Sequence, residues 1–464
     1  MKIEQLYTGC LAEAAYYIES DGEAAIIDPL RETKPYTGLA EKNKSKIKYI
    51  FETHFHADFV SGHVDLAKKT GATIVYGPNA SAGYHIQVAK DGEEFKIGKI
   101  TIVTLHTPGH TLESTTWLLR DENGKDVAIF TGDTLFIGDV GRPDLAIKSD
   151  LTSEDLAGML YDSLRKKIMP LSNDVIVYPG HGAGSACGKN MSSETFATLG
   201  NQKEKNYALG NISREDFIKE LTTGIMPAPQ YFAKNAMLNK SGYDSIDEVM
   251  QRGVKALTLD EFAQEVAHGA LILDTRNKTL FAQEFIPGSV FIGLDGQFAV
   301  WVGALITDLK QPMVLICEEG KEEEAVLRLA RVGYDNTKGF LKGGFATWKN
   351  AGKATDKIQN ISASDLAEKI KKEKLSIVDT RKPGEYSAEH VEGAVSYPLD
   401  FINDHPGDLD KNKTHYLHCK SGYRSLIAVS ILKKNGYSNL VDVLGGFTDI
   451  EKTTIPRTAF SCAG

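Results

Sequence analysis

The chain lacks what several function classes require. It has no basic excess: 53 Lys and Arg stand against 62 Asp and Glu in 464 residues, a net charge of −9 with a pI near 5.8. A nucleic-acid partner, which calls for a basic patch, is therefore not expected. No stretch approaches the roughly 18 apolar residues of a membrane span, so no membrane association is expected. The start, Met1-Lys2-Ile3-Glu4-Gln5-Leu6, has no apolar signal core, and without one Gly9-Cys10 is not expected to be a lipidation site. The five cysteines, Cys10, Cys187, Cys317, Cys419 and Cys462, are odd in number and far apart. They do not form a disulfide framework, and a reducing cytoplasm is the expected compartment. What remains is a globular composition, 42% apolar, 25% charged and 9% aromatic. The length suggests about three domains.

Three segments can be drawn. Residues 1–244 alternate short apolar strands with turns, as in Ala24-Ala25-Ile26-Ile27-Asp28 and Ile100-Thr101-Ile102-Val103. Asn123-Gly124 between two apolar runs is a hairpin signal. The pattern predicts helices over 61–69, before Gly71, and over 213–221, with Ser213 as N-cap. Pro227, Pro229 and Gly242 mark a winding connector. The rest is an internal duplication. Leu271-Ile272-Leu273-Asp274-Thr275-Arg276 matches Ser376-Ile377-Val378-Asp379-Thr380-Arg381, and Gly343-Gly344-Phe345 matches Gly445-Gly446-Phe447. A period of roughly a hundred residues means duplicated domains, since solenoid units run about 20–50. Each copy reads strand, loop, strand, cysteine loop, helix, so each is expected to be a parallel α/β sheet. The expected boundaries are 245–355 and 356–464.

The first segment carries metal-ligand chemistry. Thr53-His54-Phe55-His56-Ala57-Asp58-Phe59 follows the strand-like run 47–51. Three more turns, each after a strand, offer His110 in Thr107-Pro108-Gly109-His110, Asp133 in Thr131-Gly132-Asp133 and His181 in Tyr178-Pro179-Gly180-His181. Prolines and glycines stiffen these loops, as fixed ligand directions require. This set resembles the metallo-β-lactamase superfamily, which implies an αββα sandwich with metals at one edge. In binuclear members a histidine stands where this chain has Phe59, and phenylalanine cannot donate to a metal. His63 could in principle replace it, but reads as a helix-face histidine. Phe59, together with Gly138-Asp139-Val140-Gly141-Arg142-Pro143-Asp144, looks most like the persulfide dioxygenases. That resemblance implies one Fe(II) per chain, held by His54, His110 and Asp133, a facial triad with positions left for oxygen and substrate. His56, Asp58 and His181 would then orient the ligands or bound water. Arg142 could hold an anionic substrate or pair with Asp144. Cys10 and Cys187 could shuttle sulfur near the metal, packed thiols being the expected reading.

The last segment offers His418-Cys419-Lys420-Ser421-Gly422-Tyr423-Arg424-Ser425 between a strand-like run and a helix-like run. A cysteine opening a tight loop before a helix is surrounded by backbone N–H groups, and Lys420 and Arg424 add positive charge. The loop resembles the C-x-x-x-x-R loop of rhodanese sulfurtransferases, which implies Cys419 and Arg424 as catalytic residues and Lys420, Ser421, Gly422 and Tyr423 as substrate contacts. The duplicate loop reads Cys317-Glu318-Glu319-Gly320-Lys321-Glu322. Like charge disfavours a thiolate there, and the middle domain is expected to be idle.

Together the segments resemble the persulfide dioxygenase–rhodanese fusions. The resemblance implies oxidation of a thiol persulfide, carried by glutathione, coenzyme A or a similar thiol, by dioxygen to sulfite and thiol. Cys419 would transfer sulfur to or from sulfite and thiosulfate, in sulfide detoxification. A homo-oligomer is expected. Two alternatives stand beside this: a binuclear zinc thioester hydrolase of glyoxalase II type fused to rhodanese, and a non-oxidative sulfur carrier.

Overall fold

The computed structural model describes residues 1–145, 151–405 and 407–458; Cys462 lies outside them. The chain divides into two compact units, Met1–Glu248 with Ala330–Gly333, and Val249–Leu329 with Tyr334–Gly464.

In the first unit two six-stranded sheets face each other. One runs Lys2–Thr8, Glu13–Ser20, Glu23–Ile27, Lys46–Phe51, Thr73–Tyr76, Gln87–Val88, and the other Ala197–Thr198, Ile176–Pro179, Asp126–Gly132, Thr115–Arg120, Ile100–His106, Glu94–Ile97. Strand residues alternate sides, so Tyr16, Phe51, Trp117 and Phe130 meet in the core that includes residues of both sheets. Truncating a ring of that size in a core costs about 3–5 kcal/mol. The opposite faces carry further apolar clusters. Tyr36, Ala40 and Leu66, from the helices Lys34–Asn43 and His63–Thr70, cover the first sheet. Ala157, Leu160 and Phe217, from the helices Ser153–Ser163 and Arg214–Thr222, cover the second. This is the αββα sandwich the resemblance implied.

Local signals explain several boundaries. The helix His63–Thr70 ends where Gly71 takes a left-handed φ of 73°, and Ser213 accepts a hydrogen bond from the Asp216 amide at 3.0 Å to start Arg214–Thr222. The hairpin turns at Gly124, with φ 79°. The connector departs from the sequence reading, because it contains a ten-residue helix, Phe232–Ser241. Its buried face carries Asn235 and Asn239, and this hides the apolar period that marks a packed helix.

The second unit holds two five-stranded parallel sheets of identical order. They run Ala256–Leu257, Thr337–Leu341, Met313–Ile316, Leu271–Asp274, Val290–Phe291, and Gln359–Ile361, Leu440–Val443, His415–His418, Ser376–Asp379, Val395–Ser396. The duplication is thus structural as well as sequential. The helix after Cys419 spans Tyr423–Lys434, beginning at Gly422 with φ 93°.

Candidate metal centre and cysteine loops

The metal-type residues sit on loops at the ends of the strands Lys46–Phe51, Ile100–His106, Asp126–Gly132 and Ile176–Pro179. The structure brings three of them together: donor atoms of His54, His110 and Asp133 lie within 4.8 Å of one another, all buried. The hydrogen bonds fix which atoms are available. Thr53 donates its hydroxyl to Asp28 Oδ2 at 2.8 Å, so it accepts from His54 Nδ1 at 2.9 Å. His110 Nδ1 donates to the Arg142 carbonyl at 2.8 Å. Both Nε2 atoms are left as bare lone pairs, 3.9 Å and 3.4 Å from Asp133 Oδ2. That oxygen is buried with no hydrogen-bond partner. Three lone pairs converging at buried residues repel unless a cation lies between them, so the donor set fits a metal, and two imidazoles with one carboxylate suit a first-row transition metal.

Burial, with His56 next to it, keeps His54 neutral by lowering its pKa well below the ordinary value. Burial alone would raise Asp133, but His181 and His110 hold its carboxyl far below the usual range. His181 donates from Nδ1 to Asp133 Oδ1 at 2.7 Å, and its Nε2 lies 2.8 Å from Asp58 Oδ2. Desolvation opposes its charged form, yet Asp133 and Asp58 outweigh it and raise His181 well above the ordinary value.

His56 stands outside the trio. Its Nε2 lies 3.1 Å from Asp28 and 3.5 Å from Glu52, and its ring packs at 4.3 Å on His54 and at 4.4 Å on Phe59. Phe59 is fully buried. His63 opens its helix but is buried, with Nε2 2.5 Å from the Tyr84 hydroxyl, and burial, then His56, lower it to about 3. It joins no metal-type cluster among the described residues and does not replace the ligand missing at position 59. Arg142 pairs with Asp144 through two bonds of 2.6 and 2.7 Å and donates to the Met226 carbonyl at 2.6 Å. The salt-bridge reading thus accounts for its guanidinium.

Sequence reasoning missed two participants. Thr53 and Asp28 orient His54, and Asp28 takes a left-handed φ of 49° while Thr53 binds both its oxygens. Cys187, one of the two thiols expected near the metal, has its sulfur within 4.8 Å of donor atoms of Asp58 and His181. Burial, then the charges of Asp58 and Asp133, push its thiol well up. Cys10 is half-buried and belongs to none of the clusters. A cavity of about 890 Å³ opens over His110, walled by Phe55, Ala57, Leu112, Phe232 and Met237.

In the last domain Cys419 is buried; its sulfur accepts from the Gly422 amide at 3.1 Å and lies 3.7 Å from Ser425 Oγ. Arg424 is held by Glu385 through bonds of 2.5 and 2.9 Å, and Lys420 by Glu451 at 3.1 Å. Tyr423 instead donates to the Gly293 carbonyl of the other copy at 2.7 Å, and Lys278 of that copy reaches the Ser421 carbonyl at 2.9 Å. In the middle domain burial pushes Cys317 up to about 12, with Glu322 and Asp274 adding to it and a Thr275 hydrogen bond opposing.

The metallo-beta-lactamase superfamily profile matches residues 8–181, and the rhodanese-like domain profile matches 258–351 and 362–453. The cytoplasmic hydroxyacylglutathione hydrolase of Arabidopsis thaliana is 32% identical, over 39% of this chain and 67% of its own length. The mitochondrial persulfide dioxygenase ETHE1 of Homo sapiens is 30% identical, over 45% of this chain and 74% of its own. The crystal structure of a metallo-beta-lactamase from Staphylococcus aureus, 30% identical, superposes with a TM-score of 0.65 over 74% of this chain and 98% of that one. The chain belongs to the metallo-β-lactamase superfamily, with persulfide dioxygenases among its relatives and two rhodanese-like domains joined to the metal-binding fold.

Proposed function

We propose that residues 1–244 form a persulfide dioxygenase domain, 245–355 an idle rhodanese-like domain and 356–464 a working sulfurtransferase. The reaction takes a thiol persulfide, one dioxygen and one water to thiol, sulfite and two protons. The observation that carries this reading is the buried trio His54, His110 and Asp133, beside a position that Phe59 has made apolar. A ferrous ion held by those three residues would supply oxygen activation and a position for the outer sulfur. The protein's own share is to fix direction. Thr53 and the Arg142 carbonyl set the two imidazole tautomers, and His181 holds one oxygen of Asp133 so that the other stays free. The cavity over His110 would take up the organic part of the persulfide against Phe55, Leu112, Phe232 and Met237.

Cys419 would carry a sulfane sulfur as a persulfide. Attack by sulfite on the outer sulfur breaks the S–S bond, releasing thiosulfate and the Cys419 thiolate. The Gly422 amide supports that leaving sulfur.

The zinc hydrolase reading draws on the second cluster, Asp58, His181 and Cys187. Against it stands Phe59, which offers no donor where binuclear members have a histidine, and no other described residue replaces it in a metal-type cluster with Asp133. Metal analysis after anaerobic purification separates the two: one iron per chain supports the oxygenase, two zincs the hydrolase. His110→Ala is expected to abolish oxygen uptake with glutathione persulfide while thiosulfate:thiol transfer continues, and Cys419→Ser to do the reverse. Loss of oxygen uptake in Cys419→Ser as complete as in His110→Ala would refute the two-site division.

A further inference from the structure

The helix Phe232–Ser241 lies beyond residue 181, where the superfamily match ends. Its exposed side helps wall the cavity over His110 with Ala233, Ala236, Met237 and Lys240. Its buried side presents Asn239, which is fully enclosed. The Asn239 Nδ2 donates to two carbonyls of the metal-binding loop, His56 and Phe59, each at 2.7 Å, and Oδ1 accepts from the Ser61 amide at 2.9 Å. The helix end is itself tied down. The Asn239 carbonyl accepts from the Tyr84 hydroxyl at 2.5 Å, and the Lys240 carbonyl from the Gly83 amide at 2.8 Å.

Those two carbonyls bracket Asp58, the residue whose carboxylate lies against His181, which in turn binds Asp133. An amide is the neutral group that offers two N–H donors on one nitrogen together with an acceptor. Loop carbonyls buried without such a donor would turn toward other partners and carry Asp58 with them.

We propose that Asn239 is a positioning residue that clamps loop 56–61 in the conformation that sets Asp58 against His181, and through it Asp133, at the metal centre. The helix thereby ties the cavity wall to the metal-binding loop.

The test uses the full chain and zinc alone, measured by competition with a chromophoric chelator. It needs neither substrate nor oxygen, so its outcome is independent of the dioxygenase reading. Asn239→Asp keeps size and the acceptor for Ser61 but turns a carboxylate oxygen toward two carbonyls. Zinc affinity is expected to fall about ten-fold to a hundred-fold. Asn239→Ser, too short to span both carbonyls, is expected to fall by about ten-fold and replaces the aspartate variant if that one does not fold. The control is Asn235→Ala. Asn235 is equally buried one turn earlier, with no hydrogen-bond partner for its amide atoms among the described residues, and its variant is expected to bind zinc within about two-fold of the parent. A purely structural role would lower the melting temperature of the Asn239 variants with zinc affinity unchanged, and that result overturns the proposal. Ala236→Leu, on the cavity face, is expected to leave zinc affinity within about two-fold of the parent. Zinc loss there equal to that of Asn239→Asp would also overturn it.

Discussion

The two rhodanese-like copies are one scaffold with two loops. Each has the same strand order and the same buried pair after its second strand: Arg276 on Asp274 at 2.7 Å, and Arg381 on Asp379 at 2.6 Å. Each arginine then caps a carbonyl eight residues on, Glu284 or Glu389, and lies over an aromatic ring, Phe345 or Phe447. The difference lies in the loop. After Cys419 come Lys420 and Arg424; after Cys317 come Glu318, Glu319 and Glu322. The comparison teaches that the ion pair and its carbonyl cap are shared by both sheets, while the two copies part in the charge of a six-residue loop. A pair that loses one partner leaves a buried charge, so removing one member of either pair destabilises its sheet, whereas the loop can change charge at the surface.

The largest effect that would sharpen this contrast comes from the thiols themselves. Cys419→Ser is expected to abolish thiosulfate:thiol sulfur transfer, and Cys317→Ser to leave it within about two-fold of the parent, as read by thiocyanate or sulfite release. Comparable losses in both would break the contrast. Next comes Arg424→Glu, which gives the Cys419 loop the charge its duplicate has at Glu322. Transfer is expected to drop about a hundred-fold, because two carboxylates, Glu385 and the new one, would then face the thiol. Circular dichroism would confirm that the fold persists.

The smallest effect is a pH profile. With Cys317 pushed up to about 12, its alkylation at pH 7 should be slow and should keep rising through strongly alkaline pH. The sign for stability follows. Above its ordinary value of 9.0 an unfolded cysteine loses its proton while the folded one keeps it. The folded chain then binds more protons, and stability contributed by this group falls as pH rises from about 9 to about 12. Cys317→Ala should flatten that part of an alkaline denaturation curve; an unchanged slope would show that another group governs it.

Much of the site was legible because its signals are local. His54, His110 and Asp133 each stand on a short turn directly after a strand, a pattern that marks candidate metal ligands, and the family resemblance implied which of the candidates form the trio. The duplication was legible for the same reason, since Asp274-Thr275-Arg276 and Asp379-Thr380-Arg381 repeat letter for letter. The hairpin at Gly124 and the Ser213 cap depend on near neighbours only.

Amino-acid order by itself therefore determined the duplication, its parallel α/β character, the presence of metal-ligand chemistry and the unequal charge of the two cysteine loops, while the family resemblance it carries implied the αββα sandwich and the three residues that converge. The tertiary structure alone decided which groups hold those residues still. Asn239 meets the metal-binding loop across 183 residues of chain, Cys187 reaches Asp58 and His181, and Tyr423 leaves its loop to bind Gly293. Such pairings join distant segments through hydrogen bonds that no periodicity announces. A buried amide on a helix looks, in sequence, like solvent-facing polarity until the carbonyls it satisfies are in place.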